Sequence, residues 1–343
     1  MKFVKWQWLT TSLMALAVAM PMHASAQEEL NVYSARKAQL IAPLLEDFSK
    51  QTGIQVNLIT SKADALLKRL ESEGRRSPAD VLITTDAGRL HRAKEAGVLQ
   101  ASISPELLKK VPASLQDKDG LWLGLTTRAR VIVYAKDRVN PQNLSTYESL
   151  TDSKWKNKIC IRSSGNIYNQ SLVASMISHK GEEATAEWAK GLVANMARKP
   201  KGGDRDQVMA VAAGQCDLAV VNTYYLGQML NGSDKAQQEA ANQVAVFWPN
   251  QKDRGTHINV SGIAITKSAK NIESANKLIE FMLSKPAQEW YAKTNNEYPV
   301  MDGVEPSDTL KSWGEFHSDH LNLSKLGELN PQAVKIMDRA NWR

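Results

Sequence analysis

A chain of 343 residues and 38.0 kDa is too long for one minimal core and suits two compact lobes. Apolar residues make up 43% and charged residues 23%, a balance that excludes wholesale disorder. Against 36 acidic side chains stand 43 basic ones, a net charge of +7. That surplus is diffuse: it fits an anionic ligand and is too mild to argue for nucleic acid.

Residues 1–26 read as an address. Lys2 and Lys5 precede the apolar run Leu13 to Met20, and Pro21 and the small-x-small pattern Ala24-Ser25-Ala26 follow. This order predicts a secretory signal peptide cleaved after Ala26. The run is too short to span a bilayer, and no later stretch reaches that length. The mature chain is therefore expected in the periplasm with no stable membrane insertion. Its two cysteines, Cys160 and Cys216, then predict one disulfide in an oxidising compartment. Two separate buried thiols are the alternative.

The mature chain opens with a predicted strand at Glu29 to Tyr33 and a helix at Leu40 to Gln51, which Gly53 ends. A strand at Gln55 to Thr60 and a helix at Ala63 to Glu73 follow. Asp80 to Thr84 is a continuous apolar strand, of the kind covered on both faces, and Gly88 to Ala96 is helical. Such a β-α-β-α-β run signifies a parallel sheet. Leu121 to Tyr134 is a long extended segment able to carry the chain into a second lobe. There the pattern predicts a strand at Lys158 to Arg162, helices at Gln170 to Ser178 and Glu182 to Met196, and a helix capped by Asp204 that runs to Ala213. A strand at Leu218 to Asn222 opens into a helix at Thr223. Val244 to Trp248 and His257 to Thr266 are extended, the latter a second crossing. Helices at Ile272 to Leu283, Pro286 to Lys293 and Pro331 to Arg339 complete the chain. The expected organisation is an α/β fold with lobe 1 at 27–127, lobe 2 at 128–257 and a return to lobe 1 with C-terminal helices at 258–343. Two crossings without a flexible linker predict a hinge, with the ligand cleft between the lobes.

In open α/β sheets, ligands gather at the carboxyl ends of strands beside helix N-termini. Three such ends offer Ser34-Ala35-Arg36-Lys37, Ser163-Ser164-Gly165-Asn166-Ile167-Tyr168 and Thr223-Tyr224-Tyr225. Bulky phenols at a strand-to-helix turn are usually packing. Tyr168, Tyr224 and Tyr225 together, however, could become phenolates on a hard trivalent cation. A free phenol ionises near pH 10, so a strong Lewis acid such as ferric iron is needed to hold it deprotonated at neutral pH. Zinc or copper would call for His or Cys. Three phenolates leave coordination positions for water or an anion such as carbonate, which Arg36 could clamp as a fork; the alternative is a surface Arg in an ordinary ion pair. His317 and His320 lie three apart with no third ligand near, and His91, His179 and His257 are isolated. No nucleophile elbow, zinc helix, phosphate loop or dinucleotide fingerprint occurs. A serine hydrolase triad, being spatial, is not thereby removed.

The segments NVYSARK, ADVLITTDAGRLHRAKEAGVLQ, GLTTRARVIVY, RSSGNIYNQSL, ARKPKGGDRDQ, QCDLAVVNTYYLGQML and INVSGIAITKSAKN, in this order, resemble the periplasmic ferric-ion-binding proteins of bacterial ABC iron importers. The resemblance covers essentially the whole mature chain. It implies a two-lobed periplasmic-binding fold (type II) that closes on its ligand. It also implies a monomeric, non-enzymatic receptor that delivers ferric iron to an inner-membrane permease. By motif the iron ligands fall on Tyr168, Tyr224 and Tyr225, and the synergistic anion, carbonate or similar, on Arg36. Some members carry His-Tyr directly after that arginine as further ligands; this chain has Lys37-Ala38 there. Tyr33 is expected to be structural. The competing readings are a binder of an oxyanion or small organic anion and, from another class, an exported hydrolase.

Overall fold

The computed structural model describes residues 28–343; the predicted signal peptide, residues 1–26, lies outside the described residues. The chain begins with β1 (Glu29–Ser34), α1 (Ala42–Thr52), β2 (Gln55–Thr60), α2 (Ala63–Glu73), β3 (Val81–Thr85) and α3 (Ala87–Glu95). Gly53 ends α1 at φ +75°, a left-handed cap that a β-carbon would strain. Next come α4 (Pro105–Lys110), β4 (Leu123–Ala135), β5 (Ile159–Cys160) and α5 (Ile167–Ala194). The two helices predicted at 170–178 and 182–196 are one element broken at Gly181, where φ is +79°. Then follow α6 (Asp204–Ala212), β6 (Leu218–Asn222), α7 (Thr223–Asn231), α8 (Lys235–Asn242), β7 (Val244–Phe247) and β8 (Ile258–Ile265). The last elements are α9 (Ile272–Met282), α10 (Lys285–Trp290), β9 (Tyr298–Pro299), α11 (Asp308–Lys311), α12 (Ser324–Glu328) and α13 (Asn330–Arg339).

The strands lie in the order β2-β1-β3-β8-β4-β6-β5, with β7 and β9 also paired to β4. β1 runs parallel to β2 and β3, as the βαβ pattern requires. β4 and β8 join the two halves. Residues 123–129 of β4 pair with β8, whereas 130–135 pair with β6 and β7. The crossing is tight. Gly124 faces Gly262, and a β-carbon on Gly124 would meet Val260 Cγ1 at 2.7 Å, while one on Gly262 would meet Leu90 Cδ1 at 2.5 Å. All of β8 and nearly all of β4 are buried, so these strands are covered on both faces.

One local prediction fails. Gly203, not Asp204, is the N-cap of α6, and Asp206 reaches back to accept from the Gly203 N–H at 2.6 Å. Asp204 is thereby free to turn inward, where it is fully buried and accepts from Arg130 and from the Asn222 N–H. The polar helix α8 and the short α4 have too little apolar periodicity to be read from sequence.

Cys160 and Cys216 are bonded, with Cα atoms 5.8 Å apart. β5 and β6 are parallel neighbours, and their register pairs Cys160 with Ala219. Cys216 therefore reaches its partner from the turn ahead of β6. The bond ties together the two strands whose far ends lead to Tyr168 and Tyr224. Replacing both cysteines by serine should cost about 4 kcal/mol in the chain-entropy model for a loop of this length. Thermal unfolding of the variant under oxidising conditions checks this: a clearly lowered melting temperature is expected, and an unchanged one would deny the bond its structural part.

Candidate metal centre

Each predicted site residue stands at a strand-to-helix junction. Tyr168 is the second residue of α5, after the loop that leaves β5. Tyr224 and Tyr225 are the second and third residues of α7, which starts directly from β6 with Asn222 as its N-cap. Arg36 follows the end of β1. These junctions meet around a cavity of about 410 Å³ lined by Arg36, Lys37, Tyr168, Arg205, Tyr224 and Tyr225 among others. The Tyr224 hydroxyl donates to the Tyr168 oxygen at 3.1 Å, and the Tyr224 and Tyr225 rings lie 4.2 Å apart. The three phenols do converge.

A ring of guanidinium groups surrounds them. Arg89 and Arg162 lie 6.0 and 5.7 Å from the centre of the Tyr168 ring. Arg128 is 5.7 Å from that of Tyr224, and Arg205 is 5.7 Å from that of Tyr225. Burial raises the cost of ionising every phenol here. At Tyr168 the positive charges of Arg89 and Arg128 outweigh burial and hold the phenol below its ordinary value. At Tyr224 burial dominates, and the neighbouring phenols Tyr168 and Tyr225 push it further up. Tyr225 is raised for the same reasons, burial first and then Tyr168. Ionisation is therefore easiest at Tyr168. Three together require a strong cation, since each new negative charge opposes the next. Among the described residues no group of three or more His, Cys, Asp or Glu could hold a metal, so the phenols are the hard-oxygen donor set on offer.

Beneath the cavity, Arg36 is buried and already engaged. Its Nη1 donates to Ser261 Oγ at 2.6 Å and to Glu297 Oε1 at 3.0 Å. Glu297 also accepts from Arg128 and Thr126. Its carboxyl is costly to bury, yet Arg36 and Arg128 hold it below the usual carboxylate range. Tyr33 lies outside the cavity: its hydroxyl donates to Glu73, and Arg69 covers its ring at 4.9 Å.

Sequence reasoning missed the support of the site. Arg130, fully buried on β4, donates to Asn169 Oδ1 at 2.5 Å, to Asn222 Oδ1 at 2.9 Å and to Asp204 at 3.3 Å. Asn169 follows Tyr168, and Asn222 precedes the Tyr224-Tyr225 pair by two residues, so one guanidinium fixes the first turns of both tyrosine-bearing helices. The available signal was two arginines, Arg128 and Arg130, inside an otherwise apolar strand. Among the histidines, His179 Nε2 lies 2.8 Å from Asp319 Oδ2, and Ser175 donates to that same oxygen at 3.1 Å. The serine is thus bound to the acid and not paired with a base, unlike a hydrolytic triad. Burial pushes His257 down to about 3, which leaves it a neutral, weak base.

Two outcomes follow from this geometry. In a near-ultraviolet absorbance titration of metal-free protein, one phenol should ionise below the ordinary pH 10, and Tyr168→Phe should remove that step. The folded state then releases this proton before the unfolded chain does. Stability should therefore rise with pH from the lowered value up to about 10. A first step unaltered in Tyr168→Phe would contradict the assignment. Separately, Arg130→Met leaves Asp204 buried without the nearer of its two guanidinium partners and should cost about 3–5 kcal/mol in urea unfolding. An unfolding midpoint equal to wild type would remove Arg130 as the hub.

Comparison with known proteins bears on this site. The model of a family described as bacterial extracellular solute-binding protein matches residues 76–317. Iron uptake protein A1 of Synechocystis sp. is 51% identical over 92% of this chain and 88% of its own length. A Trichodesmium structure, IdiA (FutA) in complex with iron and citrate ligands, matches with a TM-score of 0.89 at 48% identity, covering 92% of this chain and 100% of that one. The ferric binding protein from Campylobacter jejuni matches with a TM-score of 0.87 at 42% identity, covering 92% and 100%. The fold is the two-lobed α/β fold of these structures. The chain belongs to the bacterial extracellular solute-binding proteins, alongside the iron uptake and ferric-binding members of that family.

Proposed function

We propose that this chain is a periplasmic substrate-binding protein that captures ferric iron through tyrosine phenolates and delivers it to an inner-membrane ABC transporter. The observation that carries the reading is the contact of Tyr168 and Tyr224 hydroxyls at 3.1 Å, with Tyr225 against them, on the wall of an arginine-rimmed cavity. Three phenolates balance the charge of a ferric ion. An anion such as carbonate completes the coordination shell, held by Arg36, which lines the same cavity beside its Glu297 partner. The names of the relatives, an iron uptake protein and a ferric binding protein, support the same cargo.

In this reading residues 27–127 and 258–343 form lobe 1 with the C-terminal helices, residues 128–257 form lobe 2, and β4 and β8 are the hinge. The protein works as a monomer, is exported with cleavage after Ala26, and binds its cargo without transforming it. Among the described residues no helix is long and apolar enough to cross a membrane.

The test is Tyr224→Phe combined with Tyr225→Phe. Phenylalanine keeps the ring packing and removes only the oxygen donors. Iron-loaded wild type should absorb visible light through phenolate-to-iron charge transfer. The double variant should lose that band, and its ferric affinity should fall by more than about 100-fold, the most that loss of an outer-shell partner usually costs. A double variant that binds ferric iron as tightly as wild type would overturn the proposal.

A further inference from the structure

The loop from β5 to α5 launches Tyr168, and side chains hold its carbonyls. Asn169 Nδ2 donates to Arg162 O at 2.8 Å and to Ser163 O at 3.2 Å, and Gln170 Nε2 donates to Ser164 O at 2.9 Å. Asn169 and Gln170 belong to the helix the loop feeds. The remaining grip comes from far away in sequence. Trp342, in the segment after α13, donates its indole N–H to Arg162 O at 2.8 Å, and its own carbonyl accepts from the Ser164 N–H at 3.3 Å. A second tie reaches the same place. Asn330, at the start of α13, donates to Gln170 Oε1 at 3.0 Å, and Gln170 is the residue that holds Ser164.

Trp342 is built in, not draped over the surface. It is fully buried, with its ring 6.1 Å from that of Trp188 on α5. α13 itself packs along α5. The residue it grips is mechanically important: the Arg162 guanidinium stands over the Tyr168 ring and also reaches Asp204 at 3.5 Å. Indole is donor-only, so an N–H buried against a carbonyl commits both groups to one geometry.

We infer that Trp342 is a positioning residue for the metal centre, fixing the Arg162–Asn166 loop so that Tyr168 meets the other two phenols. The inference rests on the ferric reading of the site. A tryptophan more than 170 residues away from the tyrosine along the chain thus controls the placement of one ligand without approaching the metal.

Trp342→Phe tests it, because the ring stays and only the N–H donor is lost. A buried hydrogen bond of this kind corresponds to roughly a three- to tenfold change in an equilibrium. Ferric iron should leave the variant faster by about that factor when challenged with a chelator in stopped flow, and the phenolate-to-iron band should shift. A purely structural role would move neither quantity. Phe48→Leu, at a core residue packed against Phe281 and absent from the cavity lining, serves as the control: it should lower the melting temperature while leaving band and release rate at wild-type values. A coloured wild type together with an unchanged band and release rate in Trp342→Phe overturns this inference alone. A wild type that takes up no ferric iron overturns the ferric reading, and the inference with it.

Discussion

The buried pair of Arg130 and Asp204 is the interaction on which the site depends. Both groups are withdrawn from water, a loss that their mutual attraction repays only if the remaining donors and acceptors find partners. Here all but one do. Arg130 also gives its two terminal nitrogens to Asn169, Asn222 and the Val220 carbonyl, with only its Nε left over, and Asp204 accepts from Arg162 and from the Asn222 N–H. Each of those partners sits beside a tyrosine of the cavity. A polar network of this kind is rigid because any displacement leaves a buried charge unsatisfied. It therefore holds two helix starts, from different strands, in one fixed relation.

Charge explains why such rigidity is worth having. Three phenols crowded together, two of them hydrogen-bonded and the third ring-to-ring with one of these, resist ionising together, and the arginines around them relieve only part of that cost. Tyr168 is prepared for it; Tyr224 and Tyr225 are not. A trivalent cation supplies what the arginines lack. Glu297 adds a further element of balance. By accepting from Arg36 and Arg128 it keeps two guanidinium groups from facing the cavity unopposed. Arg36, Lys37 and Arg205 against the single Glu297 still leave the lining of the cavity positive, which suits phenolates and an anion.

How much of this the sequence disclosed depends on the range of each interaction. The βαβ units, the Gly53 cap and the tyrosines at strand ends were legible because each follows from neighbours within a few residues. Cys160 and Cys216 were legible by elimination, as no other cysteine exists. Asp204 was misread as a cap because its pull comes from Arg130, 74 residues earlier. The Arg36–Glu297 pair spans 261 residues and leaves no local pattern. Trp342 carries no local signal, and only the folded chain brings its indole to Arg162. Motif resemblance supplied the proposed ligand set; the arginine ring, the acid beneath it and the hub behind it became visible in the fold.

The most direct measurement is a crystal structure of the protein loaded with ferric iron, with anomalous scattering recorded at the iron edge. The account predicts one strong anomalous peak within bonding distance of the Tyr168, Tyr224 and Tyr225 hydroxyl oxygens, with Arg130 still joined to Asn169 and Asn222. An iron peak away from these three oxygens, or no peak in protein saturated with ferric iron, would contradict it.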